Sequence, residues 1–246
     1  MFIACGHSLL FMTLTFKHLF DTVVSLMPTM ISNGELGATK LRLLEAAGEV
    51  FAEHGFADAT VRDICERAGA NIAAINYYFG DKGRLYIETV KYAHRACTEG
   101  EPFPDWEPGT SPVQKLRDFI RVLVSRMLSP QSPASLQVMM REMAQPTAAC
   151  VEVVRDYIRP IAEKLKGILE ELLPHATEPE RILFAFSIVG QCHFYRSNRA
   201  VASLVIGEEM FKQLDAGLVA EHITAVTLRA LGLEGAGRAA QHAPHN

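Results

Sequence analysis

From Thr39 onward the apolar positions recur with the period of an α-helix over almost the whole chain. Leu41, Leu44, Gly48 and Phe51 stand at i, i+3, i+7 and i+10, which predicts one buried face of a helix that Gly55 stops. Thr60 is placed to cap a new helix, VRDICERA, with Asp63 completing a capping-box-like start. Gly69 ends that helix after two turns. Asn71 can cap the next, IAAINYYF, which Gly80-Asp81 breaks, and Asp81 can cap a longer helix running to about Glu99. Residues 100–112, GEPFPDWEPGTSP, hold four prolines and two glycines, so no helix is expected to cross them. Ser111-Pro112 is a cap followed by a first-turn proline. Beyond it the spacing predicts helices near 112–128, 133–145, 147–173 (kinked at Pro160), 178–199 and 208–232. No segment alternates with a period of two, and no repeat is visible.

The expected fold is all-α. An extension, residues 1–37, precedes a three-helix domain at 38–99, a linker loop at 100–112 and a larger helical domain at 113–234; the tail 235–246 is expected to be disordered. Two short helices joined by a glycine turn behind a longer first helix describe a helix-turn-helix. Its inner face must be apolar, which Ile64, Ala68, Ile75 and Phe79 can supply with Phe51 and Phe56. Its turn must be tight: Gly69 tolerates positive φ, and Ala70 leaves room for the helices to approach.

The second helix must then present an outer face to DNA. With Ile75, Tyr78 and Phe79 pointing inward, Ile72, Ala73, Asn76 and Tyr77 point outward together. Asn76 can pair with adenine through two hydrogen bonds, and Ile72 and Ala73 can meet thymine methyls. Thr60, Arg62, Tyr77 and Lys82 are expected to hold phosphates, helped by the positive ends of the helices that start at 61 and 82. The thirteen residues from Ala68 to Gly80 carry no charge. Small neutral groups there permit close approach to a polyanion that an acidic side chain would repel.

Charge changes this picture in one respect. The 246 residues are 49% hydrophobic and 21% charged, with a formal net charge of −4. That is ordinary globular composition and excludes a protein coated in basic residues. Between Glu35 and Glu99 there are eight Lys and Arg against ten Asp and Glu. DNA binding therefore requires placement: Arg62, Lys82, Arg84 and Lys40 clustered on the DNA side, with Glu45, Glu49 and Glu53 elsewhere. The five cysteines, Cys5, Cys65, Cys97, Cys150 and Cys192, are far apart and form no CxxC pair, which fits a reducing compartment and a cytoplasmic protein. No apolar run reaches the roughly 18 residues of a membrane span.

Residues 1–29 are apolar and aromatic-rich, yet the first basic residue is Lys17, which does not suit a signal peptide. Ile3-Ala4-Cys5 has no apolar stretch before it, as a lipoprotein site would need. The expectation is an extension from an upstream start codon, with Met30 as the start; a short amphipathic helix packing on the body is the other reading.

The stretch TVRDICERAGANIAAINYYFGDKGRL, residues 60–85, strongly resembles the DNA-binding domain of TetR-type transcriptional regulators, and the likeness extends over about 38–95. The Thr, Ile, Ala-Gly, Tyr-Phe, Lys and Leu elements all fall at that family's spacing. One departure stands out: the family has a phosphate-touching tyrosine where this chain has Asn76. The variant AINYYFG resembles a CerR-type branch, and GQCHFYR at 190–196 points the same way more weakly. The resemblance implies a homodimer, with one recognition helix per half-site of a palindromic double-stranded operator. It also implies a C-terminal domain that takes a small-molecule effector, and repression of transcription. No cofactor or metal is implied.

The C-terminal half offers candidates of weaker specificity. Trp106, Met139, Met143, Tyr157, Phe184, His193 and Arg196 can line or orient an effector, although Met and aromatic residues at helical spacing also describe plain core. Cys192-His193 can be read as a metal or redox pair, but no third ligand lies at useful spacing, so packing is favoured. Leu183, Ser187, Gly190 and Phe194 form one stripe, and Leu214, Leu218, Ile223 and Val226 another; paired with a second copy they would make a four-helix bundle through the last two long helices. No GxSxG, HExxH, P-loop, GxGxxG or Glu-x-x-His pair is present, so no enzyme is expected. The alternative is a helical protein-binding adaptor that keeps the helix-turn-helix only as packing.

Overall fold

The computed structural model describes residues 33–98, 100, 102–130 and 132–233, with side chains from 37 onward. The expectations for residues 1–32 and for the tail lie outside these. Among the described residues every regular element is helical. They are α1 (Asn33–Asp58), α2 (Val61–Ala68), α3 (Ile72–Phe79), α4 (Lys82–Thr98), α5 (Pro112–Leu128), α6 (Pro133–Ala144) and α7 (Ala148–Val153). A π turn (Val154–Ile158) follows, then α8 (Arg159–Leu172), α9 (Glu178–Ser197), α10 (Arg199–Ile206), α11 (Glu208–Lys212) and α12 (Ala216–Ala230).

Most predicted boundaries hold because the caps do their expected work. Ser111 accepts from the Gln114 N–H, Asp81 from Arg84, and Thr177 with Glu180 completes a reciprocal capping box at the start of α9. The predicted stop at Gly55 is a break inside α1, with φ 76° and ψ 177°. The chain departs from expectation in three places. Leu41 is exposed, and Leu43, Ala46, Ala47 and Val50 do the burying instead. The span 208–232 is not one helix: Leu214 and Asp215 interrupt it, Asp215 caps α12 by accepting from the Leu218 N–H, and α10 forms at 199–206 ahead of it. The kink expected at Pro160 is a π turn just upstream, where widening the helix relieves the clash of the proline ring with the preceding turn.

Two apolar clusters organise these helices. The first joins α1–α4 with Val138, Met139, Ala149 and Val153, so α6 and α7 return from the C-terminal half to close the N-terminal core. The second joins α5, α8, α9 and α12. The proline-rich loop is pinned to this second cluster: Phe103 stacks on Phe119 at 4.8 Å, and the Trp106 indole N–H donates to Asp118 at 3.2 Å.

Glu142 joins the pieces of the first cluster. It is 1% exposed, and both oxygens are used. Oε2 accepts from the Tyr86 hydroxyl at 2.7 Å; Oε1 accepts from the Thr147 N–H and hydroxyl and from the Cys150 N–H, closing the N-terminus of α7. Burial and this carboxylate together push the Tyr86 phenol well above its usual pKa. Beside it, the Tyr86 ring meets Phe51 edge-on at 4.9 Å. We expect Glu142→Ala to lower the unfolding free energy by about 3 kcal/mol or more, because it strands a buried hydroxyl and helix-end amides; urea denaturation measures it.

Candidate nucleic-acid interface

The sequence builds the α2–turn–α3 unit from local bonds. Thr60 Oγ1 accepts from the Asp63 N–H at 3.1 Å, which starts α2. Gly69 is left-handed, φ 60° and ψ 40°, and the Ala70 N–H returns to Cys65 O at 3.0 Å. Asn71 Oδ1 accepts from the Ala74 N–H at 2.9 Å and starts α3. Ile64, Cys65, Ala68, Ile75 and Phe79 are buried in the first cluster. Phe56, expected on that inner face, is 42% exposed, with its ring 4.9 Å from Tyr86.

The opposite face of α3 is open. Ile72 is 51% and Tyr77 74% exposed, and Ala73 and Asn76 are exposed with them. These are the four side chains that the sequence assigns to the outer face. The Tyr77 ring packs edge-on to Tyr78 at 5.0 Å and stays largely exposed.

The charged residues divide differently from expectation. Arg62 is exposed at the start of α2, with only a weak 3.5 Å pair to Glu66. Lys82 is half-buried: its ammonium donates to Ala57 O at 3.2 Å and lies 4.8 Å from the Phe56 ring centroid. Part of its work is therefore to fix the end of α1 beyond the break at Gly55. Arg84 does not join a cationic cluster, since Glu88 at 2.9 Å and Glu152 at 2.7 Å hold it. Lys40 lies over Phe79, 5.8 Å from its centroid, at the far end of α3. Two of the acids on α1 are taken up by an arginine of α2. Arg67 takes Glu53 at 2.8 Å and Glu49 at 3.6 Å, and that guanidinium holds the Glu53 carboxyl below its usual range. The spacing of Arg67 from α1 gave no hint of this pairing, because it spans 14 residues and a turn.

The seven effector candidates do not share one wall. Met139 is buried in the first cluster and Tyr157 packs against it, whereas Trp106 and Phe184 pack against the second. Met143 and His193 are exposed. Arg196 donates to the carbonyls of Cys97 at 2.7 Å, Met127 at 3.4 Å and Arg126. Helical period alone does not reveal which of two cores a Met or aromatic residue enters. Cys192 is fully buried in the second cluster. His94 was overlooked; a lone histidine among the apolar positions of α4 was the available signal. It is 7% exposed, with its ring 5.1 Å from that of Tyr157 and within the field of Arg196.

An exposed second helix behind a left-handed glycine turn, neutral along its outer face, defines a helix-turn-helix DNA-binding protein. Residues 43–89 match the family described as bacterial regulatory proteins, tetR family, and residues 112–232 match the C-terminal domain of the HTH-type transcriptional dual regulator CecR, the branch anticipated above under the similar name CerR. The chain is 29% identical over 213 residues to the dual regulator CecR of Shigella flexneri, covering 80% of this chain and 92% of that protein. A 62-residue stretch is 41% identical to the repressor AcnR of Corynebacterium diphtheriae, covering 25% of this chain and 33% of that one. A solved tetR-family regulatory protein from Rhodococcus RHA1 shares the fold, with a TM-score of 0.57 at 17% identity over 78% of this chain and 96% of that one. These relatives are regulators of transcription, not enzymes. The chain belongs to the TetR family of transcriptional regulators.

The turn carries a test. Gly69→Ala should destabilise the fold by about 1–2 kcal/mol through its left-handed backbone, and Gly69→Asn by clearly less. A Cβ there meets no atom within 4 Å, so backbone strain is the isolated variable. Thermal unfolding of the two variants compares them.

Proposed function

We propose that this TetR-family regulator is a homodimeric repressor that reads a palindromic operator with α3 and releases it when a small effector binds its C-terminal half. The site of action is the cytoplasm, where the operator lies. The observation that carries the reading is the outward face of α3. Ile72, Ala73, Asn76 and Tyr77 are exposed together, neutral, and small at the end that would approach the bases. Asn76 reads an adenine, Ile72 and Ala73 contact methyl groups, and Tyr77, Thr60, Arg62 and Lys82 meet phosphates. The Thr60 oxygen already accepts from Asp63, so its hydroxyl proton is the part left for a phosphate.

The homodimer is supported by apolar surface on α9. Ile182, Leu183, Phe186 and Phe194 are 44%, 65%, 70% and 49% exposed, with Ser187 and Gly190 open between them. The final helix contributes less than the sequence pattern promised. Leu218 is 55% exposed, but Ile223 is 1% exposed and belongs to the monomer's own core. Val201, Leu204 and Val205 of α10 extend the apolar surface instead, at 62%, 86% and 78%. So many exposed apolar side chains on neighbouring helices of a lone chain are a liability that a second copy removes.

Mobility shifts with DNA from the gene's own upstream region test the reading. Tyr77→Ala should weaken binding to every sequence, whereas Asn76→Ala should weaken it mainly at one adenine per half-site. Four cationic phosphate contacts per dimer, Arg62 and Lys82 from each copy, predict that log affinity falls against log salt with a slope of about −3 to −4. No shift with any duplex of a large random pool would end the DNA reading. In light scattering the wild-type chain should run as a dimer, and the double variant Leu183→Asp with Phe186→Asp as a folded monomer.

A further inference from the structure

Helix α4 carries a polar group that the packing leaves unanswered. His94 is 7% exposed, and its Nδ1 has no hydrogen-bond partner. A buried nitrogen in that state costs free energy unless something occupies it. Its surroundings indicate what. One face of the imidazole lies on the Tyr157 ring, 5.1 Å between centroids at 34°, and the Tyr157 hydroxyl accepts from Arg95 at 2.9 Å. The charged groups of the described residues that act on the imidazole are all cations: Arg196, Arg126 and Arg95. With burial, they push His94 down to about 4, so the ring is neutral at ordinary pH and keeps one N–H to donate.

Arg196 supplies the second half of the arrangement. It is partly buried, and dehydration pulls it below its usual range. Nε and Nη2 are spent on the carbonyls of Cys97, Arg126 and Met127, the C-terminal ends of α4 and α5, while Nη1 takes no part in those three bonds. The Arg126 guanidinium, whose charge also acts on the imidazole, lies 4.5 Å from the Phe103 ring. A partly dehydrated cation at the C-terminal end of α4 and, one turn before it, a buried imidazole whose unpartnered Nδ1 can carry the ring's one proton are complementary to one negative charge carried on a mostly apolar body.

We propose that His94, Arg196 and the face of Tyr157 receive the head group of the effector, and that the effector is a small organic carboxylate. This rests on the ligand-responsive reading above and deepens it. One carboxylate oxygen accepts from the imidazole N–H and the other from Arg196 Nη1, with the apolar remainder against Tyr157. A bound anion also competes with the carbonyls for Arg196. Occupancy would therefore loosen the stitch between the end of α4, the helix that leads away from the DNA-reading unit, and α5.

The probe is benzoate, with benzamide as its uncharged counterpart, added to the full-length protein without DNA. The histidine side chains are isotope-labelled, and the His94 resonance is assigned by its loss in His94→Phe. Benzoate should shift that resonance with a Kd of about 1 mM, typical of a fragment of this size, and benzamide should leave it in place. Benzoate should bind His94→Phe at least tenfold more weakly; that variant keeps an aromatic ring on Tyr157 while removing the donor. If the variant does not fold, histidine resonances of the wild type that stay unmoved by benzoate decide against the proposal. No perturbation at about 50 mM benzoate, equal effects of benzoate and benzamide, or undiminished binding by a folded His94→Phe would each overturn it. DNA mobility shifts on the same preparation keep the two readings apart: a shift without benzoate binding sinks the carboxylate site alone.

Discussion

A carboxylate at 1% exposure survives inside a protein only if each of its oxygens is matched, and Glu142 meets that demand with a phenol, a hydroxyl and two helix-end amides. It stands on α6, and the groups it collects come from α4 and the start of α7. Their convergence holds Tyr86 in place, and Tyr86 in turn sets the rings of Phe51 and Phe56 behind the helix-turn-helix. The aromatic clamp continues to Lys82, over Phe56 and bonded to Ala57 O at the end of α1. Behind α3 a chain of polar and aromatic contacts thus runs from the buried Glu142 to the partly exposed Phe56 and Lys82.

Helix α4 transmits that order in both directions. Arg84 near its start and Lys91 at its middle reach Glu152 and Asp156, and near its end Cys97 O is held by Arg196 of α9. Lys91 and Asp156 are 2.8 Å apart and only partly exposed, so this pair is less screened than a surface one. Two neighbouring guanidinium and ammonium groups draw the Asp156 carboxyl far below its usual range. The helix that carries the apolar patch proposed for pairing is thereby bonded to the helix that carries the DNA-reading unit, through one arginine side chain.

The parts legible from sequence are those decided within a few residues. Thr60, Gly69, Asn71, Gly80 and Ser111 each fix a cap or a stop through their own backbone or side chain, so α2, α3 and the start of α5 fell where the spacing put them. The outward set on α3 followed from helical phase, since Ile75 and Phe79 could face only one way. What escaped was set by partners distant in the chain. Arg84 was drawn off the DNA side by Glu152, 68 residues on. Ile223 looked like interface but fills the monomer's core, and Leu41 looked like core but lies outside it, because amphipathic spacing marks a face without saying what will cover it. The effector candidates scattered for the same reason.

The π turn at 154–158 sits between residues that serve different cores. Before it Ala149 and Val153 enter the first cluster; after it Leu165, Ile168 and Leu169 enter the second. Each residue of a helix advances its phase by about 100°, so one extra residue in a turn swings the downstream face around the rod by roughly that much. A single length of polypeptide can then act as the spine of both halves, with the widened turn as the joint that sets their relative twist. Loops at the surface can gain or lose residues at little cost, whereas a one-residue insertion or deletion here would rotate one half of the molecule against the other.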